Sequence, residues 1–239
     1  MRPRVAVFRP DDERMAAATE LLESLGVRAV ADPMLAVEPT GAVPRTDAGF
    51  VIFTSATGAD CLPGGWSAGE ATVCAIGPAT ADSLREVGIE VDLVPETYSS
   101  RGIVDALAGA AEGRRVEIAR SDHGSAVLRD GFDDAGAYHH ETVLYRLVRP
   151  DSAGDSADLA AAGDLDAALF TSTLTVEHFL AAADDRGLRE EAIAGLADAV
   201  VGAIGEPTRE TASDAGITVD VVPGEATFEA LARETIAEL

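Results

Sequence analysis

The tripeptide Phe53-Thr54-Ser55 closes an apolar run, "GFVIFTS", and returns 117 residues later as Phe170-Thr171-Ser172 at the end of "ALFTS". The likeness is wider than three residues. "AIGPATADSLREVGIEVDLVP" from Ala75 to Pro95 recurs as "AIGEPTRETASDAGITVDVVP" from Ala203 to Pro223, an offset of 128. A second kind of segment is also doubled, because "RVAVFRPDDERMAAATELLESLG" from Arg4 to Gly26 resembles "RVEIARSDHGSAVLRDGFDDAG" from Arg115 to Gly136, with Arg9 against Arg120. The chain therefore reads A, B, A′, B′, and any fold it adopts must be built from two copies of one plan.

The plan itself is legible from periodicity. "RVAVF", "GFVIFTS", "ATVCAIG", "VEIAR", "ALFTS" and "AVVGAIG" are apolar runs of strand length, several without polar alternation, as in strands covered on both faces. Between them, Met15, Ala18, Leu22 and Leu25 fall at helical spacing and stop at Gly26. Strands alternating with helices predict an α/β fold with parallel sheets. The larger second offset means that the B′ copy holds 11 extra residues between its two motifs. They fit a fuller helix, "TVEHFLAAADD", where the first copy has a clipped loop, "CLPGGWSAGE".

Two sequential domains would satisfy the order A, B, A′, B′, and so would a chain that leaves its first domain after one A unit and returns to it at the end. The Pro/Gly-punctuated crossings favour the second arrangement, because "DPMLAVEPTGAVP" and "LYRLVRPDSAGDSAD" flank B plus A′. The expected organisation is a discontinuous domain of residues 1–35 and 151–239, an inserted domain of residues 40–145, and linkers at 36–39 and 146–150.

Charge narrows the functions open to it. The chain holds 42 acidic residues against 18 arginines, no lysine, no asparagine and no glutamine, for a net charge of −24. Acid spread over every helix, without a block of like charges, points to solvation in concentrated salt, as in a salt-accumulating halophile. Nucleic-acid binding is excluded for want of a basic face. No apolar run approaches the ~20 residues of a membrane span, and the N-terminal strand runs into acid rather than a signal-peptide core, so a cytoplasmic location is expected. Cys61 and Cys74 lack CxxC spacing and read as small buried thiols. His123, His139, His140 and His178 have no metal-ligand spacing and read as surface or rim residues.

The motifs in order carry a family likeness: a first strand ending in Arg-Pro, a Phe-Thr-Ser strand end, Gly-Pro-x-Thr-Ala opening a helix, an Arg-ended strand, a Tyr before "RLVRP", then a second Phe-Thr-Ser and Gly-x-x-Thr. This set, spanning nearly the whole chain, resembles uroporphyrinogen-III synthase. The resemblance implies two flavodoxin-like parallel-sheet domains joined by a two-stranded antiparallel linker, with the active site in the cleft between them. It implies cyclisation of the linear tetrapyrrole hydroxymethylbilane, with loss of water and inversion of the last pyrrole ring, on the route to haem, sirohaem and cobalamin. It implies no metal or organic cofactor; a monomer is expected, with transient contact with hydroxymethylbilane synthase as a partner.

Ligands of parallel α/β sheets meet the carboxyl ends of strands, where helix N-termini present unpaired N–H groups. Thr54, Ser55, Thr80, Thr171, Ser172 and Thr208 fall at such ends and are expected to bind substrate. So are Arg9 and Arg120, which end matching strands. A hydroxymethylbilane carries eight carboxylates, which so acidic a protein can hold only through local donors. Each residue has a plainer role open to it: helix capping for Thr80 and Thr208, turn formation for Ser55 and Ser172, and an ion pair with Asp11, Asp12 or Asp122 for the arginines. Tyr145 matches the Tyr that the resemblance places at the crossover beside the cleft and is the expected catalytic side chain, its phenol donating to the leaving hydroxyl; its plainer role is an aromatic anchor for the linker. "GEPTRE" and "ARSD" depart from the family's Gly-Pro-Thr-Thr-Ala and Arg-Gly patterns.

Other classes fail on chemistry. A receiver domain needs a lysine, which is missing; nucleotide-binding GxGxxG and GxxxxGK[ST] and the hydrolase G-x-S-x-G are missing too. A non-catalytic ligand-binding or regulatory protein on the same scaffold is the remaining alternative.

Overall fold

The computed structural model describes residues 2–239. Along the chain run β1 (Arg4–Phe8), α1 (Glu13–Ser24), β2 (Arg28–Ala31), β3 (Ala36–Pro39), β4 (Phe50–Phe53), α2 (Ala56–Asp60), β5 (Thr72–Ala75), α3 (Pro78–Glu86), α4 (Ser100–Ala111), β6 (Arg115–Ser121), α5 (Val127–Asp134), β7 (Tyr138–Val148), α6 (Asp155–Ala161), β8 (Ala167–Phe170), α7 (Thr173–Asp185), α8 (Arg189–Leu196), β9 (Val200–Ala203), α9 (Glu206–Asp214) and α10 (Phe228–Ala237). They form two compact units: residues up to Ala36 with Val148–Leu239, called unit 1, and Val37–Leu147, called unit 2. Among the described residues no helix is long and apolar enough to cross a membrane.

Unit 1 holds a parallel sheet in the order β2-β1-β8-β9. An isolated parallel bridge from Gly202 to Val221 continues it by one position. That is the flavodoxin order 2-1-3-4-5. Its strands lack polar alternation because both faces are covered. Ala6, Phe8, Ala168 and Phe170 pack with Val176 and Phe179 on one face, and Val5, Val7, Ala167 and Leu169 with Leu22 and Leu231 on the other. Phe8, Phe170 and Phe179 form an aromatic triad, with ring centroids 4.8 to 5.7 Å apart.

Unit 2 repeats the arrangement with the chain cut elsewhere. Its sheet runs β3-β7-β6-β4-β5, and Leu93 bridges in parallel to Cys74 outside β5. Apart from the added β3, this is the same spatial order, circularly permuted, because B precedes A′ along the chain. Val51, Phe53, Val73 and Ala75 face α2 and α3; Phe50, Ile52, Val116 and Ile118 face α4 and α5. The 11 extra residues of B′ separate a long α7 from the five-residue α2. Both passages between the units, at residues 36–37 and 147–148, fall within β3 and β7, which are neighbours in the sheet. Thr40 ties them further, its N–H donating to Leu144 O at 2.9 Å and its hydroxyl to Val143 O at 2.6 Å.

Candidate active site

In each sheet the strand order reverses between two central strands, and the carboxyl ends flanking that reversal are where ligands of open α/β sheets bind. In unit 2 these are the ends of β6 and β4; in unit 1, those of β1 and β8.

In unit 2 the reversal is spanned by a side-chain hydrogen bond. Ser55, the N-cap of α2, accepts from Gly58 N–H at 3.1 Å, and its Oγ lies 2.9 Å from the Tyr145 hydroxyl. Tyr145 belongs to β7 and reaches across β6 to get there. A β-bulge makes this reach feasible. Arg120 pairs with Val143 but Ser121 pairs with Tyr145, leaving Leu144 as an extra residue. Alternation would send Leu144 and Tyr145 to opposite faces, yet both pack into the cluster under α2 and α3, at 0% and 6% exposure. Thr54 joins the end of β4 to that of β6, its N–H donating to Ala119 O at 3.3 Å.

The strand end of β6 is organised otherwise than its sequence suggests. Arg120 is buried, with Nη1 2.7 Å from Glu141 Oε1 and Nη2 donating to Ser125 O at 2.9 Å. A Cβ on Gly124 would sit 1.5 Å from the Arg120 guanidinium, so the loop after β6 closes directly over it. Arg120 thereby clamps the loop, with both ends of its guanidinium engaged within unit 2. Its acidic partner is Glu141 and not Asp122. Asp122 holds His123 Nδ1 at 2.8 Å and accepts from Leu147 N–H at 3.1 Å. Burial pushes the Asp122 carboxyl up, but those two hydrogen bonds outweigh it and hold the group below its usual range.

Unit 1 presents the equivalent rim. Thr171 donates to Phe8 O at 2.6 Å, spanning its own strand reversal, and Ser172 caps α7 in a reciprocal box with Thr175. Arg9 lies with its guanidinium 4.9 Å from the centre of the Phe228 ring. Burial and nearby Arg14 draw its pKa down from the ordinary value, with Asp12 opposing. Asp12 pairs instead with Arg14 and caps α1.

Thr80 and Thr208 do not cap their helices. Gly77 and Gly205 are the N-caps, followed by Pro78 and by Glu206-Pro207, and both threonines lie buried in the first turn. The departure "GEPTRE" leaves the α9 start unaltered relative to α3. Cys74 is buried in β5, its thiol pushed up to about 12 by burial and then by Asp92, and Cys61 is partly buried with its thiol raised for the same first reason; neither is a poised nucleophile. Among the described residues no group of three His, Cys, Asp or Glu is placed to hold a metal.

Two buried carboxylates escaped sequence reasoning. Asp32 accepts from Gly154 N–H at 2.9 Å, from Ser156 N–H at 2.8 Å and from the Ser156 hydroxyl, fastening the outgoing chain to the returning one. Glu117 accepts from Thr142 and pairs with His140 Nδ1 at 2.8 Å. Both partnerships join residues far apart in sequence, so no local pattern announces them. A cavity of about 540 Å³ lined by Trp66, Thr72, Ile89 and Asp92 lies at the opposite end of β5 from the rim, and the strand-end chemistry is remote from it.

Comparison with known proteins agrees over nearly the full length. The profile described as "Uroporphyrinogen-III synthase HemD" matches residues 16–233. A Methanothermobacter thermautotrophicus protein provisionally named uroporphyrinogen-III synthase is 36% identical over 231 residues, 90% of either chain. A similarly named Archaeoglobus fulgidus protein is 27% identical over 159 residues, 66% of either chain. Two solved structures share the fold: a mutant uroporphyrinogen III synthase of Thermus thermophilus (TM-score 0.65, 17% identity, covering 99% of this chain and 100% of that one) and the Helicobacter pylori enzyme (TM-score 0.65, 14% identity, 100% of both). By the extent of the profile match and the identity to its relatives, the chain belongs to the uroporphyrinogen-III synthase family.

Proposed function

We propose that this chain is a uroporphyrinogen-III synthase that converts hydroxymethylbilane to uroporphyrinogen III, with Tyr145 as proton donor to the departing hydroxyl. The observation that carries the assignment of Tyr145 is its 2.9 Å contact with Ser55 across the strand reversal of unit 2. Ser55 Oγ accepts from Gly58 N–H, and in its hydrogen bond with the Tyr145 hydroxyl either oxygen can be the donor. In the arrangement where Ser55 donates, the phenol proton points away from Ser55 and serves the substrate. As the C–O bond of the hydroxymethyl group breaks, that proton goes to the leaving oxygen and water departs. To invert the last pyrrole, the new bond forms first at that ring's substituted α-carbon, the bond from this carbon to its original methylene bridge then breaks, and the bridge rejoins at the free α-carbon, whose proton is lost and restores the phenol.

Thr54, Ser55 and Thr80 in unit 2, and Thr171, Ser172 and Thr208 in unit 1, are assigned to the carboxylates. The hydroxyls of Thr54 and Ser172 and the amides adjoining all six are neutral donors, suited to anions in a chain of net charge −24, whereas the Thr171 hydroxyl is already committed to Phe8 O. Arg9, held against Phe228, is the cation assigned to the same task. Catalysis in this reading depends strongly on folding the bilane and excluding water, because the uncatalysed closure gives the type I isomer. Fresh hydroxymethylbilane supplied to the protein in concentrated salt, followed by separation of the type I and type III products, tests the assignment. Type III is the expected product; type I alone would overturn the enzyme reading in favour of a binding protein.

A further inference from the structure

We propose that Tyr98 is a substrate contact of unit 2, presenting its ring face to a pyrrole of the bound tetrapyrrole; this rests on the synthase reading above. Tyr98 is 65% exposed, although no structural need exposes it. Its position follows from the sheet. Leu93 runs parallel outside β5, with Ala75 N–H donating to Leu93 O at 2.9 Å, so the chain reaches Thr97-Tyr98-Ser99 at the carboxyl end of the strands. There Tyr98 lies over Gly77, where an added Cβ would be 3.4 Å from the Tyr98 Cβ. Ile76, beside Gly77, donates to Phe53 O at 3.0 Å, and Thr54 and Ser55 follow Phe53. The ring thus stands over the strand next to Ser55, within about 5 Å of lateral strand spacing.

The loop is held firmly. Ser99 N–H donates to Thr97 O at 2.8 Å, and the Ser99 hydroxyl caps α4 by accepting from Gly102 N–H at 3.0 Å. Thr97 O sits 1.9 Å from where a Cβ on Gly102 would be, so only glycine admits it.

The internal repeat shows that none of this requires the ring. At the offset of 128, Thr97, Tyr98 and Ser99 correspond to Glu225, Ala226 and Thr227. The bonds recur: Thr227 N–H donates to Glu225 O at 2.7 Å, and the Thr227 hydroxyl accepts from Ala230 N–H at 3.2 Å. Alanine suffices to build the loop in unit 1, and Gly205 there has no ring over it. An aromatic ring added to one copy of a rigid rim loop, and left facing solvent, has the chemistry to stack on an electron-rich planar pyrrole. It does so without charge, which suits an acidic protein.

The test compares Tyr98→Ala, Tyr98→Phe and, as a control, Tyr138→Ala, which removes another exposed tyrosine at the start of β7. Each is assayed with hydroxymethylbilane for KM, kcat and isomer ratio, with thermal melts alongside. Tyr98→Ala is expected to keep its melting temperature, raise KM about tenfold and increase the type I share; Tyr98→Phe and Tyr138→Ala are expected to match the parent. A Tyr98→Ala enzyme with parental KM and isomer ratio overturns the proposal, as does a Tyr98→Phe enzyme impaired as much as the alanine variant. If the parent protein itself yields only type I product, the synthase reading falls instead.

Discussion

Tyr145 and Arg120 both come from strand-end positions of unit 2, and their surroundings give them different work. Tyr145 has one side-chain hydrogen-bond partner, Ser55; Arg120 has Glu141 and Ser125 O, and Gly124 seals it from solvent. Tyr145→Phe removes the donor while keeping the packing of the ring, so kcat is expected to fall roughly 100-fold with little change in melting temperature. Unchanged turnover would remove Tyr145 from the acid role. Arg120→Ala leaves the Glu141 carboxylate without its partner and opens a void beneath the loop, so about 2 kcal/mol of stability should be lost in a denaturant titration. Its KM for hydroxymethylbilane should match the parent's; a rise in KM without loss of stability would return Arg120 to the substrate. The repeat already pairs Arg9 with Arg120, but it carries no information on their partners: Phe228 and Glu141 come from elsewhere in the chain.

At the scale of elements, strand and helix identity was legible because burial on both sheet faces writes itself as unbroken apolar runs. The same is true of the contrast between α2 and α7, which follows from the 11-residue difference between the B copies. The bulge in β7 was not legible. Nothing in "ETVLYRLV" marks Leu144 as an extra residue, since the irregularity exists only relative to β6. Glycine roles were hidden for a similar reason. Gly195 in α8 reads as a weak helix former, yet a Cβ there would lie 1.7 Å from Ala160 O in α6, so the two helices meet backbone to side-chain-free surface. Gly195→Ala should therefore destabilise unit 1 by about 2 kcal/mol, although alanine favours helices; a stabilised variant in thermal melts would contradict this packing.

At the scale of the whole molecule, the dominant quantity is a net charge of −24 on 239 residues. In dilute buffer the carboxylates repel over a Debye length of ~10 Å or more, and at molar salt that range contracts to ~3 Å. The melting temperature should rise steeply from dilute buffer to multimolar potassium chloride, and equal melts would refute adaptation to concentrated salt. Sequence alone determined the doubled α/β plan, the covered parallel strands and the neutral, hydroxyl-rich strand ends, because periodicity, composition and repetition are local properties of a chain. Only the tertiary structure decided that Tyr145 meets Ser55, that Arg120 is sealed, and that Tyr98 stands bare where its duplicate is alanine. Those outcomes depend on strand register and on contacts between segments distant along the chain, and neither is written in the neighbourhood of any one residue.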